Sequence, residues 1–177
     1  MPIIAKASGA NFIPAPPGAH AAVCVDVVDL GMLEVSFGGK TKQQHKVRIV
    51  WQIEEVRADN KPFSVSKRYT LSLHEKAALR KDLESWRGKA FTAEELEGFD
   101  LEMLLSKAAL LNVIQQTRDN STYANVASIM RLPKGMSAPT PSDYVRVCDR
   151  TPSEAEAVPP EYGDGVVDSI SDDMVPF

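Results

Sequence analysis

The chain has 177 residues, 44% apolar and 25% charged, which suits one folded domain of roughly 100–150 residues plus extensions. No apolar run approaches the roughly 20 residues that a membrane-spanning helix needs. The net charge of −4 divides unevenly: residues 151–177 hold Glu154, Glu156, Glu161, Asp164, Asp168, Asp172 and Asp173 and no Lys or Arg. Taking those seven acids from the chain's 24 leaves 17 against 20 bases, so the preceding 150 residues carry a net of +3. A mildly basic body suits a polyanion, whereas an acidic tail would repel one and needs another task.

Residues 1–20, with Pro14, Pro16, Pro17 and Gly18, read as an extended arm. Met1–Gly18 lacks a basic segment followed by an apolar one, so no signal peptide is expected. Ala21–Leu30 is rich in β-branched residues and predicts a strand, interrupted by Gly31 and continued by Leu33–Phe37 to a tight turn at Gly38-Gly39. In Lys46–Val56 the residues Val47, Ile49, Trp51 and Ile53 alternate with Lys46, Arg48, Gln52 and Glu54, the period of a half-buried strand. After a turn at 58–61, Phe63–Leu73 predicts a third strand. Phe63, Val65, Lys67, Tyr69, Leu71 and Leu73 share one face, and Ser64, Ser66, Arg68, Thr70 and Ser72 the other.

The period then changes. Ala78, Leu79, Leu83 and Trp86 recur at helical spacing within His74–Trp86, and Gly88 suits the C-cap. Thr92, with Glu94 and Glu95 following, has the form of a capping box for a second short helix. One or two further turns fit Asp100–Ser106. Strand character returns at Ala108–Thr117, turns at Arg118–Ser121 and resumes over Tyr123–Leu132. Residues 136–150 form an extension without sustained periodicity, and 151–167, rich in Pro, Glu and Gly, are expected to be disordered. The expected fold is mainly β, with five strands and a helical insert between the third and fourth. That is the layout of a five-stranded OB barrel over residues 21–135, followed by a disordered acidic tail over 151–177. Another small barrel or an α+β sandwich also accommodates this order.

Catalytic signatures fail on their spacing. Gly38-Gly39-Lys40-Thr41 resembles the end of a phosphate loop, but the required first Gly falls on Glu34. His74-Glu75 has Ala78 where a zinc protease needs its second His. Asp26 and Asp29 fall on opposite faces of an alternating strand. His20, His45 and His74 form no ligand-spaced cluster with Cys24 or Cys148; the two cysteines are open to a disulfide and, in a reducing cytoplasm, read as two buried or incidental thiols. A non-enzymatic protein without metal or cofactor is expected.

The last six residues, Asp172-Asp173-Met174-Val175-Pro176-Phe177, resemble the C-terminal tip of bacterial-type single-stranded DNA-binding proteins: acids, an apolar residue, then Pro-Phe. Met174-Val175 departs from the usual Asp and Ile. Physically, Phe177 suits an apolar pocket, Pro176 reduces the entropy lost on docking, and Asp172 and Asp173 suit a basic rim. The same six residues also read as a solubility tail that happens to end in Phe. Asn11-Phe12, Pro14 and Gly18, then Arg68–Leu73, Leu111–Val113, Thr122–Val126 and Leu132–Gly135, resemble the OB domain of phage-encoded single-stranded DNA-binding proteins over about residues 1–135. The resemblance implies a cytoplasmic protein, in a host cell if phage-encoded. Such a protein coats and protects single strands with little sequence preference in DNA replication, recombination or repair, and recruits protein partners through the tip. The other reading is a protein–protein adaptor of a replication or recombination complex with no direct DNA binding.

Single-strand binding needs cations for the backbone and flat rings for the bases. The candidate cations are Lys40, Lys42, Lys46, Arg48, Lys61, Lys67, Arg68, Arg118 and Arg131. The candidate rings are Trp51, Phe63, Tyr69 and Tyr123. Trp51 alternates with aliphatic residues and also suits the core, as do Phe63 and Tyr69. Arg48 and Arg68 fall on the polar faces of adjacent strands and are the leading pair.

Overall fold

The computed structural model describes residues 13–150. The expectations placed on residues 1–12 and on the tail 151–177, including Asp172, Asp173, Met174, Val175, Pro176 and Phe177, lie outside the described residues. Five strands form one antiparallel sheet: β1 (Gly18–Phe37), β2 (Lys40–Val56), β3 (Pro62–Thr70), β4 (Ala108–Arg118) and β5 (Ser121–Met130), in the order β3-β2-β1-β4-β5. Between β3 and β4 the chain forms helix α1 (Ala78–Arg87), helix α2 (Ala93–Glu97) and a 3₁₀ turn, Leu101–Leu104.

β1 is long because Gly31 bends it rather than ending it. Gly31 adopts φ 70°, the register shifts between Asp29 and Gly31, and pairing with β2 continues to Phe37↔Lys40. A second irregularity, between Cys24 and Asp26, turns Val25 and Asp26 to the same side of the sheet, as a bulge does. Two hairpins close with two-residue turns whose central residues all have positive φ: Gly38 and Gly39 after β1, Asp119 and Asn120 after β4. That geometry matches the twist of the paired strands, and Gly, Asn and Asp adopt it at least cost.

The core lies on one side of the sheet. Ile49, Trp51, Ile53, Val65, Leu111, Val113, Val126 and Ile129 point into it, and α1 closes it with Leu79, Leu83 and Trp86, one helical face at i, i+4 and i+7. The Trp86 indole stands edge-on to Trp51 at 5.8 Å and donates its N–H to the Ala108 carbonyl at 2.7 Å. Gly88 ends α1 in the left-handed conformation, and Thr92 and Glu95 form the capping box of α2.

Residues 141–147 cross the other side of the sheet. Ser142 and Gln52 exchange two hydrogen bonds, at 2.7 and 3.0 Å, and Tyr144 packs against Val23, Val25 and Val50. Asp26, 1% exposed, accepts from the Tyr144 hydroxyl (3.1 Å), Arg146 Nε (3.1 Å) and the Val147 amide (2.8 Å). The segment expected to be a plain extension is thus strapped to the sheet.

Both cysteines are free thiols, Cys24 buried and Cys148 exposed. Burial, above all, pushes the Cys24 thiol up to about 12, so at pH 8 only about one molecule in 10⁴ carries its thiolate. Titration of the native protein with an aromatic disulfide reagent at pH 8 is expected to release one equivalent promptly and two in denaturant. Two prompt equivalents in the native state would contradict this burial.

Candidate nucleic-acid interface

The alternation of β2 decides what faces outward. Val47, Ile49, Trp51 and Ile53 enter the core, so Lys40, Lys42, Gln44, Lys46, Arg48, Val50 and Gln52 share the other face. The strap covers that face at Val50 and Gln52. From Lys40 to Arg48 it carries four cations over nine residues, a row about 27 Å long.

β3 widens the row. Arg48 lies directly opposite Arg68, and Lys46 opposite Thr70. Lys46 Nζ donates to Thr70 Oγ1 at 2.8 Å, and that hydroxyl donates to Gln44 Oε1 at 3.3 Å. The Arg48–Arg68 pair brings two planar guanidinium forks side by side, the chemistry that matches phosphate oxygens. Lys46 differs from what the sequence suggests: it is 5% exposed, so its ammonium is fixed within the sheet surface rather than reaching out.

Of the expected site residues, the structure brings Lys40, Lys42, Lys46, Arg48 and Arg68 onto one face. Three others are corrected. Trp51 is fully buried against Trp86 and presents no ring to a base. Tyr69 is 1% exposed, and its hydroxyl donates to Asp82 Oδ2 at 2.8 Å. Its burial, and after that the Asp82 carboxylate, hold the phenol well above its ordinary pKa. Lys67 shares the side of Tyr69, opposite to Arg68, and is paired to the same Asp82 oxygen at 2.7 Å. All three obey the period-two rule: the parity that puts Arg68 outside puts Lys67 and Tyr69 inside.

The remaining candidates are dispersed. Lys61 is exposed in the β2–β3 turn, where its amide donates to Asp59, at the opposite end of β2 from Lys40. Phe63 is half-buried and packs against the core. Arg118 is exposed at the β4–β5 turn. Tyr123, half-buried, pairs with Gln116 on the side away from the buried Ala124. Arg131 is exposed just after β5, its amide bonded to the Ser85 carbonyl of α1, and so sits beside the helix.

One ring was missed. Phe37 is 54% exposed, directly opposite Lys40, at the tip of the β1–β2 hairpin. In the sequence it is only the last residue before Gly38-Gly39, which reads as the end of a strand. The usable signal is its pairing partner, set by the two-residue turn. Among the described residues no three His, Cys, Asp or Glu side chains gather as a metal site, and no helix is long and apolar enough to cross a membrane. Comparison with protein-family models and with curated proteins finds no match.

Proposed function

We propose that the protein binds single-stranded DNA across the outward face of β2 and β3 and recruits protein partners through its acidic tail. The observation that carries this reading is the cationic row Lys40, Lys42, Lys46 and Arg48, with Arg68 directly beside Arg48. A flat strand face offers alternate residues about 6.7 Å apart along an extended backbone, and cations there, with Lys40 and Lys42 exposed and Arg48 and Arg68 half-buried, attract phosphates without reading base identity. The proposed architecture is an OB barrel. The sheet order supports it, and so does the approach of its two ends: the backbones of β3 and β5 come within 8 Å of each other. OB barrels bind oligonucleotides on the β2–β3 face and its flanking loops.

The proposed role of residues 151–177 rests on their composition and on the resemblance of Asp172–Phe177 to partner-binding tips. The strap sets where that segment starts. Arg150 donates to the Tyr144 hydroxyl at 3.4 Å, and Tyr144 covers Val50, two positions along the outward face from Arg48. Seven carboxylates tethered there compete with DNA as a local polyanion.

The test is titration of a fluorescent oligothymidine at several salt concentrations. Binding is expected to favour single strand over duplex and to weaken with salt at a log–log slope of about −0.7 per phosphate neutralised. Deleting residues 151–177 is expected to tighten binding, most at low salt, and to abolish capture of a replication or recombination partner. Equal affinity for duplex would sink the single-strand reading. No binding at any salt would leave the adaptor reading.

A further inference from the structure

The β1–β2 hairpin projects beyond its neighbours. β3 pairing ends at Lys46↔Thr70 and β4 pairing at Val23↔Ala108, so from Met32 to Gln44 the hairpin is a ribbon of two strands. Its register sorts the side chains into two faces. Phe37↔Lys40, Val35↔Lys42, Leu33↔Gln44 and Gly31↔Lys46 share one; Ser36↔Thr41, Glu34↔Gln43 and Met32↔His45 share the other. Side-chain hydrogen bonds agree: on the second face Ser36 meets Thr41, Gln43 donates to Glu34, and His45 meets Asp29 at 2.6 Å. The arm's lysines therefore lie on one face with Phe37, Val35 and Leu33, and its carboxylates, Asp29 and Glu34, on the other.

We propose that Phe37, at the tip of this arm, stacks on a base of the bound single strand, with Lys40 and Lys42, the arm end of the cationic row, meeting the flanking phosphates. The proposal rests on the single-strand reading above and extends it to a specific ring. Charge complementarity selects the occupant. A protein partner would need matching acids beside an apolar groove, whereas a nucleic-acid strand supplies anions and flat apolar faces at each repeat. The face is continuous with Lys46 and Arg48 through the alternation of β2, so one strand lies along the whole row up to Phe37. Gly31 to Phe37, paired with Lys46 to Lys40, accounts for about 20 Å of that row. Phe37 is half in water without ligand, so stacking also removes apolar surface from solvent. A ribbon of two strands alone is marginally stable, which lets the arm adjust to the strand it holds.

Two probes test this on the full chain: an oligothymidine and an abasic oligomer of equal length. Phe37→Ala is expected to weaken oligothymidine binding about 5- to 150-fold, the worth of one stacked base, and to leave the abasic oligomer almost unchanged. Phe37→Leu keeps apolar bulk without the ring and is expected to lose most of the same factor. Lys40→Gln with Lys42→Gln is expected to weaken both probes and lower the salt slope by about 1.4. Thr41→Ala with Gln43→Ala, on the opposite face, is expected to change neither. If the wild type binds oligothymidine and Phe37→Ala binds it equally well, the arm contact is wrong while the single-strand reading stands. If Phe37→Ala weakens both probes alike, stacking is wrong. If the wild type binds neither probe, the single-strand reading falls and this one with it.

Discussion

Asp26→Ala is expected to destabilise the protein by about 3–5 kcal/mol, the loss of three hydrogen bonds to a buried carboxylate at roughly 1.5–3 kcal/mol each, reduced because Arg146 keeps Glu102. Asp26 is 1% exposed and accepts three hydrogen bonds, all from residues 144–147. Hydrogen bonds to an ionised acceptor are worth more than neutral ones. Without the carboxylate the strap retains the Gln52–Ser142 exchange, the Arg146–Glu102 pair at 2.7 Å and the packing of Tyr144. Those do not replace the acceptor that the half-buried Tyr144 hydroxyl, Arg146 Nε and Val147 amide share. Peeling the strap away rehydrates them and exposes Val23, Val25 and Val50. Urea unfolding followed by the fluorescence of Trp51 and Trp86 measures the loss. Limited proteolysis is expected to cut the variant first within residues 136–150. Arg146→Ala is expected to cost less, because Asp26 keeps two donors, and the double variant less than the sum of the two, since both act on one network. An unchanged urea midpoint in Asp26→Ala would show that the strap contributes nothing to stability.

Most of the strand order was legible because the core imposes period two wherever a strand has a buried side. Val47, Ile49, Trp51 and Ile53 announce β2 for this reason, and Leu79, Leu83 and Trp86 announce α1 at period 3.6. The beginning of β2 was not legible. Lys40–His45 is polar at every position, because the arm has no core to face, and β2 starts six residues earlier than Lys46. β1 passes Gly31 because a bulge absorbs the glycine, while periodicity alone suggests a break. The strap was invisible for another reason. Asp26 meets partners 118 to 121 residues away, and an irregular segment held by point contacts leaves no periodic trace. The cationic face was legible in part. Parity alone assigns Arg48 and Arg68 outward, and the same parity places Lys67, Trp51 and Tyr69 inward. What the local pattern lacks is the strand register that sets Arg48 against Arg68 and Phe37 against Lys40.

Replacing Arg48 and Arg68 together with Ala is expected to weaken oligothymidine binding on the order of 10²-fold while the protein stays folded. The two guanidiniums are cross-strand neighbours on the outward face, so one phosphate group can accept from both. Charge-assisted hydrogen bonds of this kind are worth about 1.5–3 kcal/mol each, and losing about 3 kcal/mol in total is the stated factor. Losing the one phosphate that both arginines hold also lowers the magnitude of the salt slope by about 0.7. That change separates a lost ion contact from a general loosening of the site, which would leave the slope alone. Neither side chain belongs to the apolar core, so the fold is expected to survive the double substitution. A thermal midpoint kept within a few degrees, with affinity and slope both reduced, is the expected signature. Normal affinity in the folded double variant would place the binding face elsewhere on the molecule, with the β4–β5 hairpin, carrying Arg118 and Tyr123, as the next surface to probe.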